Sequence, residues 1–502
     1  MNEKQPTRRI AIVGAGISGL AAAHRLVELS RESRVPVELV LFESSERLGG
    51  VFGTETVEGF RVERGADMFI TDKPWALDLC RRLGLEQRLV APDPQYRKSL
   101  ILYRGQPVPT PAGFNLMVPG RLWPVLTTRL LSPLGKLRLL MEPFIRRRAD
   151  GDADESLASF VRRRLGKEAL NRIVQPLVGG IYTGDPEQLS IEATLPRFLK
   201  MEREYGSLAR GMSRQPATVV RRQTSEPKEA TSGARYGLFV SLRDGMGELQ
   251  EALVRAIADR VTLRTSTKVT KVRPVPATDN ETRGSVGPKF DVQSHATGDT
   301  TAAPLTERFD EVIVAAPSYI AAELLQCACP ELAQRLVEIE YASSAVVVSA
   351  HRLDEFEHPL DAYGLVIPAR ERRLILAVSF LSRKFPDRAP PHHVVLRTFI
   401  GGALQPEMCE RTDEELVAIT REELGQIFGL RGSPKFTRVV RYPRAMPQYH
   451  VGHLDRIREI ERLTSEIPGL ALCGNAYRGV GLPDCIHDGE LAAEKMWRLA
   501  EG

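Results

Sequence analysis

Three glycines near the N-terminus have the spacing of a turn that binds a dinucleotide. Gly14, Gly16 and Gly19 stand in "AIVGAGISGLAAAHRL", between a run that predicts a buried strand and a run that predicts a helix. The first glycine permits a tight turn, the second lets the backbone approach a pyrophosphate, and the third packs the helix against the strand. Glu43 ends the next predicted strand, close to the ~20-residue separation expected for an acid that binds ribose hydroxyls. The cofactor residues predicted in this turn are Gly14, Ala15, Gly16, Ser18 and Gly19.

The segment after the second predicted strand indicates that the dinucleotide is FAD. "ERLGG", Glu46 to Gly50, adds an arginine and a glycine pair, and resembles the extension common in FAD enzymes of the amine-oxidase superfamily. A plain NAD dehydrogenase does not need such an extension. A solvated surface charge is the alternative interpretation of Arg47. The cofactor residues predicted here are Glu43, Ser44, Arg47, Gly49 and Gly50.

The C-terminal stretch supports the same cofactor. In "PGLALCGNAYRGVGLPDCIHDGELAAEKM" a predicted strand ends at Cys473, a loop opens at Gly474, and a helix begins near Leu482. The N-terminus of a helix beside a flavin stabilises negative charge on the reduced ring. An ordinary C-terminal helix after a glycine-rich turn is the alternative. Gly474, Asn475 and Val480 are the predicted contacts, and we expect FAD to be bound without a covalent link.

A second glycine-rich stretch lies in the middle of the chain. "PLVGGIYTGDPEQLS", Pro176 to Ser190, contains Gly179, Gly180 and Gly184, with almost no side chain suited to acid–base or nucleophilic chemistry. Bare backbone permits a close approach that a side chain would block. The alternative is that the glycine pair ends a helix, a place that glycine favours.

Length and pattern predict a discontinuous nucleotide-binding domain with other domains inserted into it. A chain of 502 residues exceeds what one hydrophobic core usually serves, and 42% hydrophobic with 26% charged residues indicates a folded protein. The pattern becomes helical between about 107 and 200, and polar stretches without periodicity predict mobile loops. The predicted parts are an FAD-binding domain over 1–92, 237–320 and 468–502, a helical region over 98–205, a mobile loop over 206–236, and a substrate-binding domain over 321–467.

Several classes of function are not supported by the sequence. The six cysteines are scattered, without a Cys-x-x-Cys pair, so we expect neither a metal site nor a disulfide framework. No paired carboxylates or Ser/His/Asp spacing indicates a hydrolase, and no basic–aromatic module indicates nucleic acid. Residues 1–9 are polar and no run approaches the ~18–20 apolar residues of a membrane-spanning helix, which predicts a cytoplasmic protein.

One basic stretch does suggest a surface partner. "RLWPVLTTRLLSPLGKLRLLMEPFIRRR", residues 121–148, interleaves seven Arg or Lys residues with large apolar residues and a single Glu142. Such a segment gains both apolar burial and charge attraction at an anionic membrane surface, so peripheral attachment to the inner face of the membrane is expected. A solvated helix face is the alternative.

The chain closely resembles the oxygen-dependent porphyrinogen oxidases of haem synthesis, the protoporphyrinogen oxidase family, over nearly its whole length. The motifs that carry the resemblance are "AIVGAGISGLAAAHRL", "PLVGGIYTGDPEQLSI", "MEREYGSL", "FVSLRDGMGEL", "FPDRAP" and "RYPRAMPQYHVGH". The resemblance implies an α/β fold with a doubly wound, Rossmann-like FAD domain, a mixed-sheet substrate domain and a helical membrane-binding region. It also assigns Gly65 and Val269 to the cofactor. In the family a meso C–H of the porphyrinogen gives a hydride to flavin, O₂ reoxidises the flavin with release of H₂O₂, and six electrons are removed in all.

The resemblance also implies substrate residues. The position that matches Gly180 presents its backbone to the reacting face of the macrocycle, and the positions of Val366 and Phe399 hold apolar residues that sandwich the ring. The family pairs a propionate with an arginine near "QYRKSLILYRG", where Arg97 or Lys98 could serve. Arg97 is favoured because a guanidinium binds a carboxylate through two N–H groups. An exposed basic pair beside a turn is the alternative.

The substrate and the partners stay partly open at this stage. Protoporphyrinogen IX is the expected substrate and coproporphyrinogen III the alternative, with a flavin amine oxidase or a carotenoid-type desaturase further away. An FAD-holding scaffold without turnover is the non-enzyme alternative. A neighbouring enzyme of haem synthesis and a second copy in a homodimer are candidate partners. Val51 stands where the family often has a basic residue, which leaves any cofactor contact at that position in doubt.

Overall fold

The structure is a computed structural model that describes residues 7–111, 114–115, 117–119, 122–148, 153–214, 239–275, 290–298 and 303–498. Its strands are β1 Arg8–Val13, β2 Val37–Phe42, β3 Thr54–Val57, β4 Phe60–Glu63, β5 Phe69–Ile70, β6 Leu89–Val90, β7 Ser99–Tyr103, β8 Gln106–Pro109, β9 Phe114–Asn115, β10 Val118–Pro119, β11 Phe239–Leu242, β12 Val261–Arg264, β13 Thr267–Pro274, β14 Phe290–Ala296, β15 Leu305–Phe309, β16 Glu311–Val314, β17 Tyr341–Arg352, β18 Gly364–Val366, β19 Ala377–Phe380, β20 His393–Gly401, β21 Phe436–Pro447 and β22 Leu470–Leu472. Its α-helices are α1 Ile17–Ser33, α2 Trp75–Arg82, α3 Leu122–Thr127, α4 Pro133–Leu140, α5 Leu157–Arg164, α6 Lys167–Ala169, α7 Gln175–Tyr182, α8 Ile191–Thr194, α9 Pro196–Tyr205, α10 Leu208–Arg214, α11 Gly247–Ile257, α12 Ser318–Leu325, α13 Pro330–Val337, α14 Leu381–Lys384, α15 Asp413–Phe428, α16 His453–Ser465 and α17 Leu482–Arg498.

A five-stranded parallel sheet confirms the predicted doubly wound domain. Its strand order is β12-β2-β1-β16-β22, so strands from both ends and the middle of the chain lie side by side. Alternate residues of β1 enter two different cores. Ile10 and Ile12 pack with α1, α11 and α17, whereas Ala11 and Val13 pack with β13–β15, α12 and α16. Because both faces are covered, the central strands have continuous apolar runs, Ile10–Val13 in β1 and Val312–Val314 in β16, and do not alternate.

A seven-stranded mixed sheet lies where the sequence predicts a substrate-binding domain. Its order is β21-β17-β20-β19-β18-β7-β8, antiparallel except for the parallel pair β7–β18. One face is closed by α15, whose Leu416 and Leu424 share a core with Leu365 and Leu396 of the sheet. The other face is covered at one end by Phe60 of β4, in a core that includes Val346. Toward β18 this second face meets the helices.

The helices α3 to α10 form a third layer around their own core. Side chains of α5, α7, α8 and α9 pack there, and Arg164 is fully buried against Glu142 and Glu202. Removing one partner of such a buried ion pair is costly because it leaves a buried charge uncompensated.

Three of the expected boundaries differ from the structure. The helical range 98–205 begins with β7 and β8, which pair with the mixed sheet, and the "SLILY" run of β7 is apolar and buried on both faces. The range 206–236 contains α10 up to Arg214, and 215–236 lies outside the described residues. Within 321–467, α13 and α16 pack into the core of the cofactor sheet, since their apolar stripes face β1 and β16.

Candidate functional site

The glycine turn after β1 has the geometry that its spacing predicts. Gly14 has a φ of 101°, a conformation that disfavours side chains. A Cβ on Gly19 would overlap the carbonyl of Gly14, so the third glycine does bring α1 against the strand. At Gly16 a Cβ would meet nothing within 4 Å, and no side chain caps the start of α1. Open space therefore faces uncapped N–H groups at a helix N-terminus, which suits a phosphate.

Glu43 holds this turn from the end of β2. Its Oε2 accepts a hydrogen bond from the N–H of Ala15 at 2.9 Å, and its Oε1 accepts the N–H of Ser45 at 2.9 Å. Ser44 beside it is exposed. Ser18 is buried where α17 crosses α1. The two helices are so close there that a Cβ on Gly489 would overlap the carbonyl of Ser18. Ser18 thus has a packing role that the sequence did not indicate.

The "ERLGG" loop folds back onto the turn. The N–H of Gly49 donates to the carbonyl of Ala15 at 2.7 Å, and a Cβ on Gly50 would lie 3.3 Å from Cα of Gly16. Arg47 Nη1 donates to the carbonyl of Phe52 at 2.6 Å, and its Nη2 binds the carbonyl of Gly50. Burial lowers the pKa of Arg47 from its ordinary value. Arg47 is therefore half-buried and shapes the loop, which its interpretation as a solvated charge does not explain.

Two further predicted cofactor residues lie close to these segments. A Cβ on Gly65 would overlap the carbonyl of Val51, so this loop is tied to the glycine pair. Val51 itself is 57% exposed. Val269 is buried on β13, which follows the loop after β12, and the pairing of β13 with β14 is irregular between Val269 and Lys271.

The C-terminal loop supplies a second open position. Gly474 follows β22 with a φ of 139°, and a Cβ there would meet nothing within 4 Å. Its N–H donates to Oδ2 of Asp488 at 2.7 Å, and burial raises the pKa of Asp488 to about 6. Asn475 Nδ2 donates to the carbonyl of Ala445 at 3.1 Å, and its own carbonyl accepts the hydroxyl of Tyr449 at 2.5 Å. Backbone cradles at Gly16 and Gly474, with uncapped N–H groups at the start of α1 and an acid, Glu43, at the end of β2, fit FAD.

The predicted substrate residues lie along one face of the mixed sheet. Val366 pairs with Ala377 between β18 and β19, and Ala377 pairs with Phe399 between β19 and β20. Residues directly opposite on antiparallel strands share a face, so Val366 and Phe399 flank Ala377 on one surface. Val366 and Val480 both pack against the helical core, which brings the C-terminal loop to the same region.

Helix α7 presents Gly180 to that face. A Cβ on Gly180 would lie 3.6 Å from Cγ1 of Val366, and the glycine is exposed. Hydrogen bonds hold α7 at both ends: the Ala369 N–H donates to Oε1 of Gln175 at 3.0 Å, and the Ala403 N–H donates to the carbonyl of Thr183 at 2.7 Å. The alternative that the glycine pair ends a helix is wrong. The helix continues to Tyr182, and Thr183 with a φ of 48° ends it.

The two basic candidates before β7 differ in their partners. Lys98 is paired with Asp361. Arg97 has a buried Nε without a hydrogen-bond partner among the described residues. A guanidinium without a carboxylate partner is the better candidate for binding a carboxylate ligand, because a buried polar group without a partner is costly. This contrast supports Arg97 over Lys98.

Sequence reasoning missed three polar residues beside the apolar face. Arg397, Asp67 and Lys384 form a buried cluster between the mixed sheet and the cofactor loop, with Lys384 Nζ 2.9 Å from Oδ2 of Asp67. A basic residue two positions before Phe399 in a strand of apolar residues was the available signal. In the described part of the chain, no group of three or more His, Cys, Asp or Glu side chains could hold a metal ion.

Comparison with known proteins agrees with this geometry. Residues 17–496 match the family described as flavin containing amine oxidoreductase. The chain is 32% identical to coproporphyrinogen III oxidase of Staphylococcus aureus, covering 98% of this chain and 99% of that protein. It is 27% identical to protoporphyrinogen oxidase 2, chloroplastic/mitochondrial, of Arabidopsis thaliana, covering 97% and 93%.

A solved structure has the same fold over its full length. The crystal structure of a protein described as a protoporphyrinogen oxidase, from Exiguobacterium sp. 255-15, superimposes with a TM-score of 0.79 at 29% identity, covering 99% of this chain and 100% of that chain. Membership of such a family implies a flavin cofactor, in agreement with the cradle at Gly16 and Gly474. The chain belongs to the flavin containing amine oxidoreductase family, among relatives that are porphyrinogen oxidases.

Proposed function

We propose that this protein oxidises a porphyrinogen to a porphyrin in haem synthesis, with non-covalently bound FAD and with O₂ as electron acceptor. The observation that carries the proposal is the approach of Gly180 to Val366, on the face of the sheet that also bears Phe399. An exposed glycine beside this apolar face presents backbone without a side chain at the edge of the space above the sheet, where a large flat ring would lie. The names of the relatives agree with such a substrate.

Different residues of the chain would bind the ring, orient it and exclude water. When bound, FAD would supply hydride acceptance and reoxidation by O₂ with release of H₂O₂, over three two-electron oxidations. Val366 and Phe399 would contact the two sides of the macrocycle edge and exclude water. The backbone of Gly180 would allow the ring to approach, and Arg97 would pair with a propionate. Aromatisation of the product drives the reaction, so no acid or base has to be assigned.

Two porphyrinogens are candidate substrates, and they differ in charge. Protoporphyrinogen IX is the substrate expected from the sequence. Coproporphyrinogen III is favoured by the higher identity to the S. aureus relative, 32% against 27% for the Arabidopsis one. Coproporphyrinogen III carries two more carboxylates, and each buried carboxylate needs a cation. Arg97 is one such cation, and the buried cluster of Arg397 and Lys384 lies beside Phe399 on the same face.

The deciding experiment is aerobic turnover of both porphyrinogens by the purified flavoprotein. Porphyrin fluorescence and H₂O₂ release are followed side by side, with protein stripped of FAD as the control. We expect porphyrin formation that depends on FAD, with three H₂O₂ per porphyrin. The faster of the two porphyrinogens identifies the substrate. Retained FAD with no turnover of either would refute the proposal and return amines to consideration.

We also propose that the basic stretch binds the surface of an anionic membrane. Of the fourteen large apolar side chains that are exposed in the described residues, six belong to this stretch: Trp123, Leu126, Leu134, Leu137, Met141 and Phe144. Arg129, Arg146 and Arg147 are exposed in the same stretch. Apolar side chains with cations around them match the chemistry of an anionic lipid interface. Among the described residues no helix is both long and apolar enough to span a bilayer.

A further inference from the structure

Arg397 is a buried cation that links the substrate sheet to the cofactor loop. It lies on β20, two residues before Phe399, and is 3% exposed. Its Nη2 donates to the carbonyl of Gly65 at 2.6 Å, and its Nη1 is 3.8 Å from Oδ2 of Asp67. Gly65 and Asp67 belong to the loop between β4 and β5. The guanidinium of Arg397 therefore binds Gly65, an expected cofactor residue, while its backbone belongs to the strand that carries Phe399, an expected substrate residue.

The loop that Arg397 holds is packed onto the phosphate turn. Gly65 lies against the carbonyl of Val51 so closely that a Cβ would overlap it. Val51 follows Gly50, whose Cα faces Gly16 at the start of α1. A displacement of the Gly65 carbonyl would therefore press on the glycine pair and, through it, on the phosphate turn. Close-packed backbone transmits such shifts because it has no space to absorb them.

The surroundings of Arg397 suit an arginine and not a smaller cation. Its guanidinium carbon lies 5.4 Å from the centre of the Phe399 ring, so the charge also orients that aromatic side chain. Burial by itself would raise the pKa of Asp67, but Lys384 and then Arg397 outweigh burial and lower it. Reaching the Gly65 carbonyl, Asp67 and the Phe399 ring together requires the planar fork of a guanidinium, which lysine lacks.

We propose that Arg397 is a positioning residue that fixes the separation between the cofactor loop at Gly65 and the aromatic wall at Phe399. The proposal rests on the porphyrinogen oxidation proposed above for the role of Phe399. The link to Gly65 does not depend on that function. Arg397 acts through these two neighbours and need not contact the substrate itself.

The test compares R397M and R397K with a matched control on the same sheet. Val348 of β17 lies between Arg397 of β20 and Arg438 of β21, so the two arginines belong to the same row of the sheet. The side chain of Arg438 is 49% exposed. R438M therefore removes an arginine from this row without altering the loop between β4 and β5. For each protein we would record the visible flavin spectrum, the FAD dissociation constant, and the rate of anaerobic flavin reduction against porphyrinogen concentration. The concentration dependence separates the limiting rate from substrate affinity.

The expected outcome is a loss of rate without a loss of substrate affinity. R397M should lower the limiting rate of flavin reduction at least about tenfold, shift the flavin absorption bands and weaken FAD binding, with substrate affinity unchanged. R397K should retain folding and charge and fall between R397M and the wild type, and R438M should behave as the wild type. An unaltered flavin spectrum and rate in R397K and R397M, or a change in substrate affinity alone, would overturn the proposal.

The design separates failure of this inference from failure of the proposed function. If the wild-type flavoprotein oxidises neither porphyrinogen, the proposed function fails. The flavin spectra and FAD affinities of R397K, R397M and R438M still test the link between Arg397 and Gly65 in that case. If R397M does not fold, R397K alone tests the proposal, because lysine keeps the buried positive charge and lacks only the planar guanidinium group.

Discussion

A Cβ added to Gly180 would lie 3.6 Å from Cγ1 of Val366. These residues are 186 positions apart in the sequence, and the resemblance assigns both to one ligand. Their approach depends on the hydrogen bonds that hold α7 against the sheet at Gln175 and Thr183.

Substitution of Gly180 should reduce turnover while it stabilises the protein. Alanine in a helix interior is favoured over glycine by about 0.5–1 kcal/mol, so G180A should unfold at a higher temperature. Its methyl group would occupy the space beside Val366 and displace the ring, which we expect to lower kcat about tenfold or more, and further in G180L. Thermal unfolding and steady-state kinetics would be measured together.

The matched control for this prediction is the adjacent G179A. A Cβ on Gly179 makes an ordinary contact at 3.5 Å with Nε2 of Gln175, so this variant should gain the same helix stability and keep its activity. Wild-type turnover in G180L would contradict the assignment of Gly180 to the substrate face.

Removal of Arg97 should weaken substrate binding. A hydrogen bond to a charged group contributes about 1.5–3 kcal/mol, so R97A should raise KM about tenfold to a hundredfold with a smaller effect on kcat. Lys98, which is already paired with Asp361, provides the control K98A, and its KM should change little. Equal effects of the two substitutions would mean that Arg97 has no special contact with the substrate.

Substitution of Glu43 should weaken FAD binding. E43A removes the acceptor of the Ala15 N–H and the acid expected to bind the ribose hydroxyls, so the FAD dissociation constant should rise at least about tenfold. Titration of apo-protein with FAD, followed by flavin fluorescence, measures this change. E46A alters an exposed acid in the next turn and should bind FAD as the wild type does. Unchanged FAD affinity in E43A would rule out a role for this acid in cofactor binding.

Asp488 should make stability fall as pH rises toward neutrality. Burial raises its pKa to about 6 from 3.8, so between these values the unfolded chain releases the proton while the folded protein keeps it. The free energy of unfolding should therefore decrease between about pH 4 and pH 6, by at most about 3 kcal/mol. D488N should flatten this part of the profile.

Urea unfolding of wild type and D488N at several pH values measures the effect. The control is D455N on α16, where Asp455 is 71% exposed at its side chain and pairs with Arg458 at the surface. Parallel pH profiles for wild type and D488N would show that this carboxyl group does not carry the effect.

The exposed apolar side chains of the basic stretch should determine membrane binding. Trp123 is 74% exposed and Phe144 is 82% exposed. W123S/F144S should reduce cosedimentation with vesicles of phosphatidylglycerol in phosphatidylcholine, and salt should reduce binding of the wild type. V337S, at an apolar residue on α13 that is 60% exposed, is the control. Equal binding to pure phosphatidylcholine, or unchanged binding of the double variant, would contradict the proposal.

The segments expected to bind the cofactor could be predicted from local sequence patterns. The glycine turn, Glu43 and the glycine pair are close in sequence, and their conformations follow from local backbone sterics and from hydrogen bonds between neighbouring segments. The parallel, doubly covered sheet was likewise predictable, because strands buried on both faces are apolar throughout.

The arrangement of the expected substrate residues, in contrast, depends on contacts between distant parts of the chain. Whether Val366 and Phe399 share a face depends on strand register, and a slip of one residue would turn a side chain to the opposite side. The choice between Arg97 and Lys98 depended on Asp361, more than 250 residues away in the chain. The roles of Arg397 and of β7 and β8 also depend on long-range pairing, which local periodicity does not encode.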